Sequence, residues 1–157
     1  MFQVRGQFDV RMDSKGRLPL PARLREKLAE QDDPRLVLTA WDGGLQGFTV
    51  ERWRRMERRF AGVSLFDRST RAFLLAYVAG AAEVETDGQG RVLVPAPLRR
   101  RAGLSGDCVI TSYLGLLEIW DATRWERRLE QAVADVETGG GLPDLSLFDP
   151  ADDLGDL

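Results

Sequence analysis

Apolar and polar positions change period several times along the chain, and each change marks an element. Phe8-Asp9-Val10-Arg11-Met12 alternates as a half-buried strand does. Asp13 to Gly16 reads as a turn, because Asp accepts bonds from nearby backbone N–H groups and Gly permits positive φ. Arg17-Leu18-Pro19-Leu20 resumes the strand pattern, and Pro19, with no N–H to donate, places that strand at an edge. Pro21 predicts a helix start, and Leu24 and Leu28 then share one face. Residues 36–41 and 45–50 read as a hairpin around Asp42-Gly43-Gly44. Residues 51–60 read as a helix, with Trp53, Met56 and Phe60 as its apolar stripe and Arg54, Arg55, Arg58 and Arg59 on the other side. Residues 66–78 return to helical periodicity, with Phe73, Leu74, Tyr77 and Val78 apolar.

The plan then repeats. Strands are expected at 82–85 and 92–94 around a turn at 87–90, then a helix from Pro95 that Gly103 ends, and a hairpin over 108–120. A last helix spans 122–136, with Asp121 as its N-cap and Trp125, Leu129, Ala132 and Val136 as its apolar stripe. Sliding residues 12–25 by 74 positions onto 86–99 superposes Asp13 on Asp87, Gly16 on Gly90 and Arg17 on Arg91. Pro21, Ala22, Leu24 and Arg25 fall on Pro95, Ala96, Leu98 and Arg99 in the same register. Residues 49–53 match 121–125 at an offset of 72, so the similarity runs through each half. Two copies are too few for a solenoid. They predict one body built from two similar halves, 1–70 and 71–138.

Composition narrows the possibilities. With 157 residues and 43% apolar content the chain is long enough for a real core. No run of about 18 apolar residues predicts a membrane span, and the Met1-Phe2-Gln3-Val4-Arg5 start lacks the apolar stretch of a secretory leader. Cys108 is the single cysteine, so no internal disulfide forms; it reads as a small buried hydrophobe in a reducing compartment. The net charge of −3 conceals an uneven distribution: residues 139–157 hold five Asp and no base, which leaves 1–138 at a formal +2. That acidic stretch, rich in Gly and Pro, is expected to be a disordered tail. A nearly neutral body can still bind nucleic acid if its positive charge is gathered on one face.

The repeated turn carries the candidate chemistry. Its Asp can fix the loop through backbone N–H groups or pair with the Arg. Arg offers a planar fork that matches phosphate oxygens or the guanine edge. Two such turns related by a pseudo-twofold axis would put Arg17 and Arg91 on one face. The residues alone leave a second reading open, in which each Asp-x-x-x-Arg is only an ion pair across the base of a turn. An enzyme is disfavoured, since the sequence has no His, the commonest general base and metal ligand.

Asp13-Ser14-Lys15-Gly16-Arg17 with Pro21-Ala22-Arg23, Asp87-Gly88-Gln89-Gly90-Arg91 with Pro95, the Leu117–Asp121 segment and the Met1-Phe2 start resemble the MraZ family of bacterial transcriptional regulators, related to AbrB/MazE-type DNA-binding domains. The resemblance covers about residues 1–138. It implies a mainly β fold with α (α+β): a double-split β-barrel from two swapped-hairpin AbrB-like halves, with surrounding helices. It implies ring-like homo-oligomers that bind double-stranded DNA at short direct repeats in the promoter of their own division and cell-wall gene cluster, usually as repressors. A cytoplasmic, nucleoid-associated protein is implied, with no cofactor, metal or small-molecule substrate. On the matching positions, Arg17, Arg91, Lys15 and Gln89 would contact DNA, and Asp13, Gly16, Asp87 and Gly90 would organise the loops. Gly88 and Gln89 stand where many members carry a more basic pair, so the second turn is expected to bind more weakly. The alternative function is a non-DNA oligomeric protein-interaction module on the same fold.

Overall fold

The structure is a computed structural model and describes residues 2–139. The expected acidic tail lies outside the described residues. The fold is α+β, with eight strands and their helices in the order β1 (Gly6–Arg11), β2 (Arg17–Pro19), α1 (Ala22–Ala29), β3 (Leu36–Trp41), β4 (Gly44–Thr49), α2 (Val50–Phe60) and α3 (Arg68–Phe73). A π-helical turn, Leu74–Val78, extends α3. There follow β5 (Ala82–Val84), β6 (Arg91–Leu93), α4 (Ala96–Ala102), β7 (Asp107–Tyr113), β8 (Leu116–Asp121) and α5 (Ala122–Glu137).

Six strands form one antiparallel sheet in the order β1-β7-β8-β4-β3-β5, and β2 pairs with β6 in a separate ribbon. The order is the same from either end once each strand is exchanged for its repeat partner. Hairpins are swapped between the halves. The first strand of the chain pairs with β7, Gly6 opposite Ser112, and β5 pairs with β3, Leu36 opposite Val84. A pseudo-twofold axis passes between Leu18 and Val92 in the ribbon and between Gln46 and Glu118 in the sheet, since each residue faces its own repeat equivalent. Pro19 sits in the two-stranded ribbon, where every strand is an edge.

Side-chain alternation on β3 divides the interior. Leu36, Leu38 and Ala40 join Leu18, Val92, Leu24, Leu98, Ile110 and Ile119 in the main core, which ribbon, sheet, α1 and α4 share. Val37 faces the other side, in a cluster with Phe48, Val50, Trp53 and Tyr77. A strand buried on both faces shows a nearly continuous apolar run rather than alternation, which is the pattern of residues 36–40, where Thr39 is the one polar residue. The π-helical turn packs on this second cluster. Thr39 donates its hydroxyl to the Tyr77 carbonyl at 2.5 Å, and the Tyr77 hydroxyl donates to Gln46 Oε1 at 2.6 Å.

Capping follows from the residues at the ends. Thr49 and Asp121 accept the Arg52 and Arg124 amides at the starts of α2 and α5, satisfying donors that have no partner in the helix. Gly103 closes α4 in the left-handed region at φ 62°. The stripe expected to bury α5 departs from the sequence reading: no residue of α5 is buried, and Leu129 and Val136 are exposed.

Candidate nucleic-acid interface

Each repeated turn is closed by one carboxylate. Asp13 Oδ1 accepts the amides of Lys15 and Arg17, both at 2.9 Å, and Oδ2 accepts Arg17 Nε at 2.6 Å. Asp87 does the same with the amides of Gln89 and Arg91, at 2.9 and 3.0 Å, and with Arg91 Nε at 3.0 Å. In each turn the Asp also exchanges backbone bonds, its N–H donating to the Arg carbonyl and its C=O accepting from the Gly amide. The two readings left open by the sequence therefore coincide: the carboxylate fixes the loop backbone and holds the arginine as well. The Arg17 amide foremost holds the Asp13 carboxyl down at about 2. The Arg91 amide lowers Asp87 in the same way. Hydrogen bonds to the ionised form favour it.

Glycine is required at both tips. Gly16 has φ +84° and Gly90 φ +77°, where a side chain is strained. Lys15 and Gln89, one position earlier, are exposed.

The ribbon sets the relation between the turns. Arg17 pairs with Leu93 and Arg91 with Pro19, each one step along from the axis pair. Directly paired residues share a face, so Arg17, Arg91, Pro19 and the exposed Leu93 lie on one side, and buried Leu18 and Val92 on the other. Both arginines are half-buried, each with its Nε given to its own Asp. Among the described residues their terminal nitrogens have no hydrogen-bond partner. The site residues expected from sequence thus gather on one ribbon, with the turns at its opposite ends. The basic run of α2 is not brought to them: Trp53 anchors α2 in the cluster on the far face of β3, and Arg54, Arg58 and Arg59 are exposed there.

The surroundings of the turns differ. Arg11, Arg99, Asp13 and Ser105 line a groove of about 330 Å³ beside the first. Arg25 and Arg35 line one of about 580 Å³ beside the second, together with Asp33, Glu85 and Asp87. With Lys15 at one tip and Gln89 at the other, the first turn is the more cationic.

Two residues to which sequence reasoning gave no role belong to this site. Arg99 Nη1 donates to the carbonyls of Lys15 and Val94, both at 3.0 Å, and Arg25 reaches across to Gly90. Their one signal was that they coincide in the repeat. Among the described residues no cluster of His, Cys, Asp and Glu could hold a metal ion, and no helix is long and apolar enough to cross a membrane.

Comparison with known proteins matches the same repeat. The family model of the MraZ protein, whose description adds an antitoxin-like relationship, fits residues 3–76 and again 77–139. A protein of Lactiplantibacillus plantarum named Transcriptional regulator MraZ is 36% identical over 141 residues, 90% of this chain and 94% of that one. Proteins of the same name from Heliobacterium modesticaldum and Deinococcus radiodurans are 39% and 34% identical, covering 84% and 89% of this chain and 90% and 94% of theirs. Two tandem matches that together span the described fold, with relatives aligned over nearly their whole length, place this chain in the MraZ family.

Proposed function

We propose that this chain is a sequence-specific DNA-binding transcriptional regulator that reads promoter DNA through the two Asp-x-x-x-Arg turns. It acts as a repressor of its own division and cell-wall gene cluster. The observation that carries this reading is the ribbon face. Two arginines, locked at Nε by their own carboxylates, stand on one side of a rigid two-stranded ribbon, between exposed Lys15 and Gln89. A guanidinium oriented in advance loses less freedom when it meets a phosphate or a base edge. The names of the relatives support the regulatory role.

One ribbon offers few cationic groups, so strong binding needs several copies on tandem repeats, where linked sites raise avidity. A ring-like homo-oligomer supplies them. Its support is two dissimilar exposed apolar patches, Val63, Leu65 and Phe66 before α3 and Leu129, Val133 and Val136 on α5. An interface between unlike patches is head-to-tail and closes into a ring where the rotation allows.

The test is fluorescence anisotropy on a duplex from the region upstream of the gene, over a salt series, with size-exclusion chromatography of every variant. Arg17→Ala/Arg91→Ala is expected to assemble normally and to lose binding. Lys15→Ala is expected to make the salt slope shallower by about 1 for each phosphate that the lysine neutralises in the wild type. Absence of binding by the wild type at low salt would overturn the reading in favour of the protein-interaction module.

A further inference from the structure

We propose that Arg99 and Arg25 are positioning residues, each holding the DNA-reading turn of the opposite half. The proposal builds on the function argued above, and its structural part can be tested without DNA.

The antiparallel ribbon makes the crossing unavoidable. Each strand leaves the ribbon beside the other strand's turn: Leu20 donates its amide to the Gly90 carbonyl at 2.9 Å, and Val94 to the Gly16 carbonyl at 3.0 Å. The helix that begins there is therefore the neighbour of the opposite turn. From α4, Arg99 Nη1 binds the Lys15 carbonyl in the first turn and the Val94 carbonyl at the end of its own strand. One nitrogen thus joins the two halves at the tip.

Both tip glycines leave room for these side chains. A Cβ on Gly16 would fall 1.5 Å from Arg99 Nη1 and 2.4 Å from its Cζ. A Cβ on Gly90 would fall 2.0 Å from Arg25 Nη1 and 2.9 Å from its Cζ. The tips thus need glycine for space as well as for φ. Asp13, an acceptor, takes the Lys15 amide, and Arg99, a donor, takes the Lys15 carbonyl that no carboxylate can bond, so Lys15 is held at both its N–H and its C=O. Arg25 lies over Gly90 without a hydrogen bond among the described residues, so its hold is the weaker of the two.

The same device at the other end of the molecule gives a control. Arg52 of α2 donates Nη1 to the Leu114 carbonyl in the β7–β8 hairpin at 2.8 Å, and Arg124 of α5 donates to Gly43 in the β3–β4 hairpin at 3.1 Å. These two cross between the halves but touch neither reading turn.

The experiment is residue-resolved amide hydrogen exchange on the full chain, for wild type, Arg99→Ala, Arg99→Lys, Arg25→Ala and Arg52→Ala. Arg99→Ala is expected to speed exchange of the Lys15, Gly16 and Arg17 amides about tenfold and to leave Gln89, Gly90 and Arg91 within about twofold. Arg25→Ala should do the reverse, with a smaller effect. Arg99→Lys, a single ammonium in place of the fork, should restore part of the protection, and it keeps the test open if the alanine variant unfolds. Arg52→Ala should leave both turns unchanged. In DNA binding, Arg99→Ala should be non-additive with Lys15→Ala and additive with Gln89→Ala. Unchanged exchange in the first turn, or equal loosening of both turns by Arg99→Ala, overturns the proposal. A crossed exchange pattern in a protein that binds no DNA supports the positioning role and removes only the functional reading.

Discussion

Replacing Gly16 with alanine tests how tightly the first turn is specified. At φ +84° a Cβ would strain the backbone by about 1–2 kcal/mol. The new methyl would also occupy the place of the Arg99 guanidinium. That side chain is long and would swing away, giving up its bonds to the Lys15 and Val94 carbonyls. Such bonds contribute about 0.5–1.5 kcal/mol each. One is exposed and the other half-buried, so together they are worth about 1 kcal/mol. Stiffening of the unfolded chain returns about 0.4–1 kcal/mol. The net loss is about 1–2.5 kcal/mol, which for a chain of this size lowers Tm by about 2–10 °C. Calorimetry at one fixed protein concentration measures it, since the proposed assembly would make Tm concentration-dependent. Gly90→Ala should fall less, because Arg25 has no hydrogen bond there to give up. Gly88→Ala is the control, as its Cβ would meet nothing within 4 Å, and it should stay within about 0.5 kcal/mol of wild type. If Gly16→Ala melts with Gly88→Ala, the account of the tip is wrong.

Two further outcomes follow from the titrating groups. Asp13, Asp33 and Asp67 are held at about 2 against an ordinary 3.8, so their contribution is complete above that ordinary value and disappears as pH falls toward 2. Thermal melts should hardly change between pH 7 and 5 and should fall between about 4 and 2, less steeply in Asp13→Asn; a flat acid limb would contradict the carboxylate account. Burial pushes the Cys108 thiol up to about 11, and only the thiolate is nucleophilic. Ellman's reagent at about pH 8 should therefore react with the unfolded protein and scarcely with the native one, and rapid native labelling would refute that burial.

Much of the local structure could be read from the residues, because it depends on short-range chemistry. Asp13 with Gly16 predicts the turn, Asp121 the start of α5 and Gly103 the end of α4, and each acts where it stands. Partners across the chain could not be read this way. Alternation at Phe8 and Val10 marks a strand but says nothing of Ile110 and Cys108, which lie opposite them. Arg99 was hidden for the same reason: in its own helix it is one basic residue among three in the last turn, and its role exists only because a glycine from the other half lies beneath it. Periodicity was met only in part at α5: Trp125 packs on Trp120 of β8, while for Leu129 and Val136 the described chain supplies no covering surface. The π-helical turn was equally invisible, since Leu74 to Val78 has ordinary helical spacing and only its fit to Thr39 and Gln46 distinguishes it.

The pseudo-twofold axis has a consequence for the kind of message the protein can read. A dimer of identical chains must present the same tip twice, and its site on DNA then mirrors that symmetry as a palindrome. Here both halves lie on one polypeptide, so each position can vary alone. The frame stays matched in the bonds each Asp makes within its own turn, while Ser14-Lys15 is exposed at one tip and Gly88-Gln89 at the other. Two unlike tips give the ribbon a head and a tail, and under the proposed function a reader with polarity takes its sites in single file, all pointing the same way along the duplex.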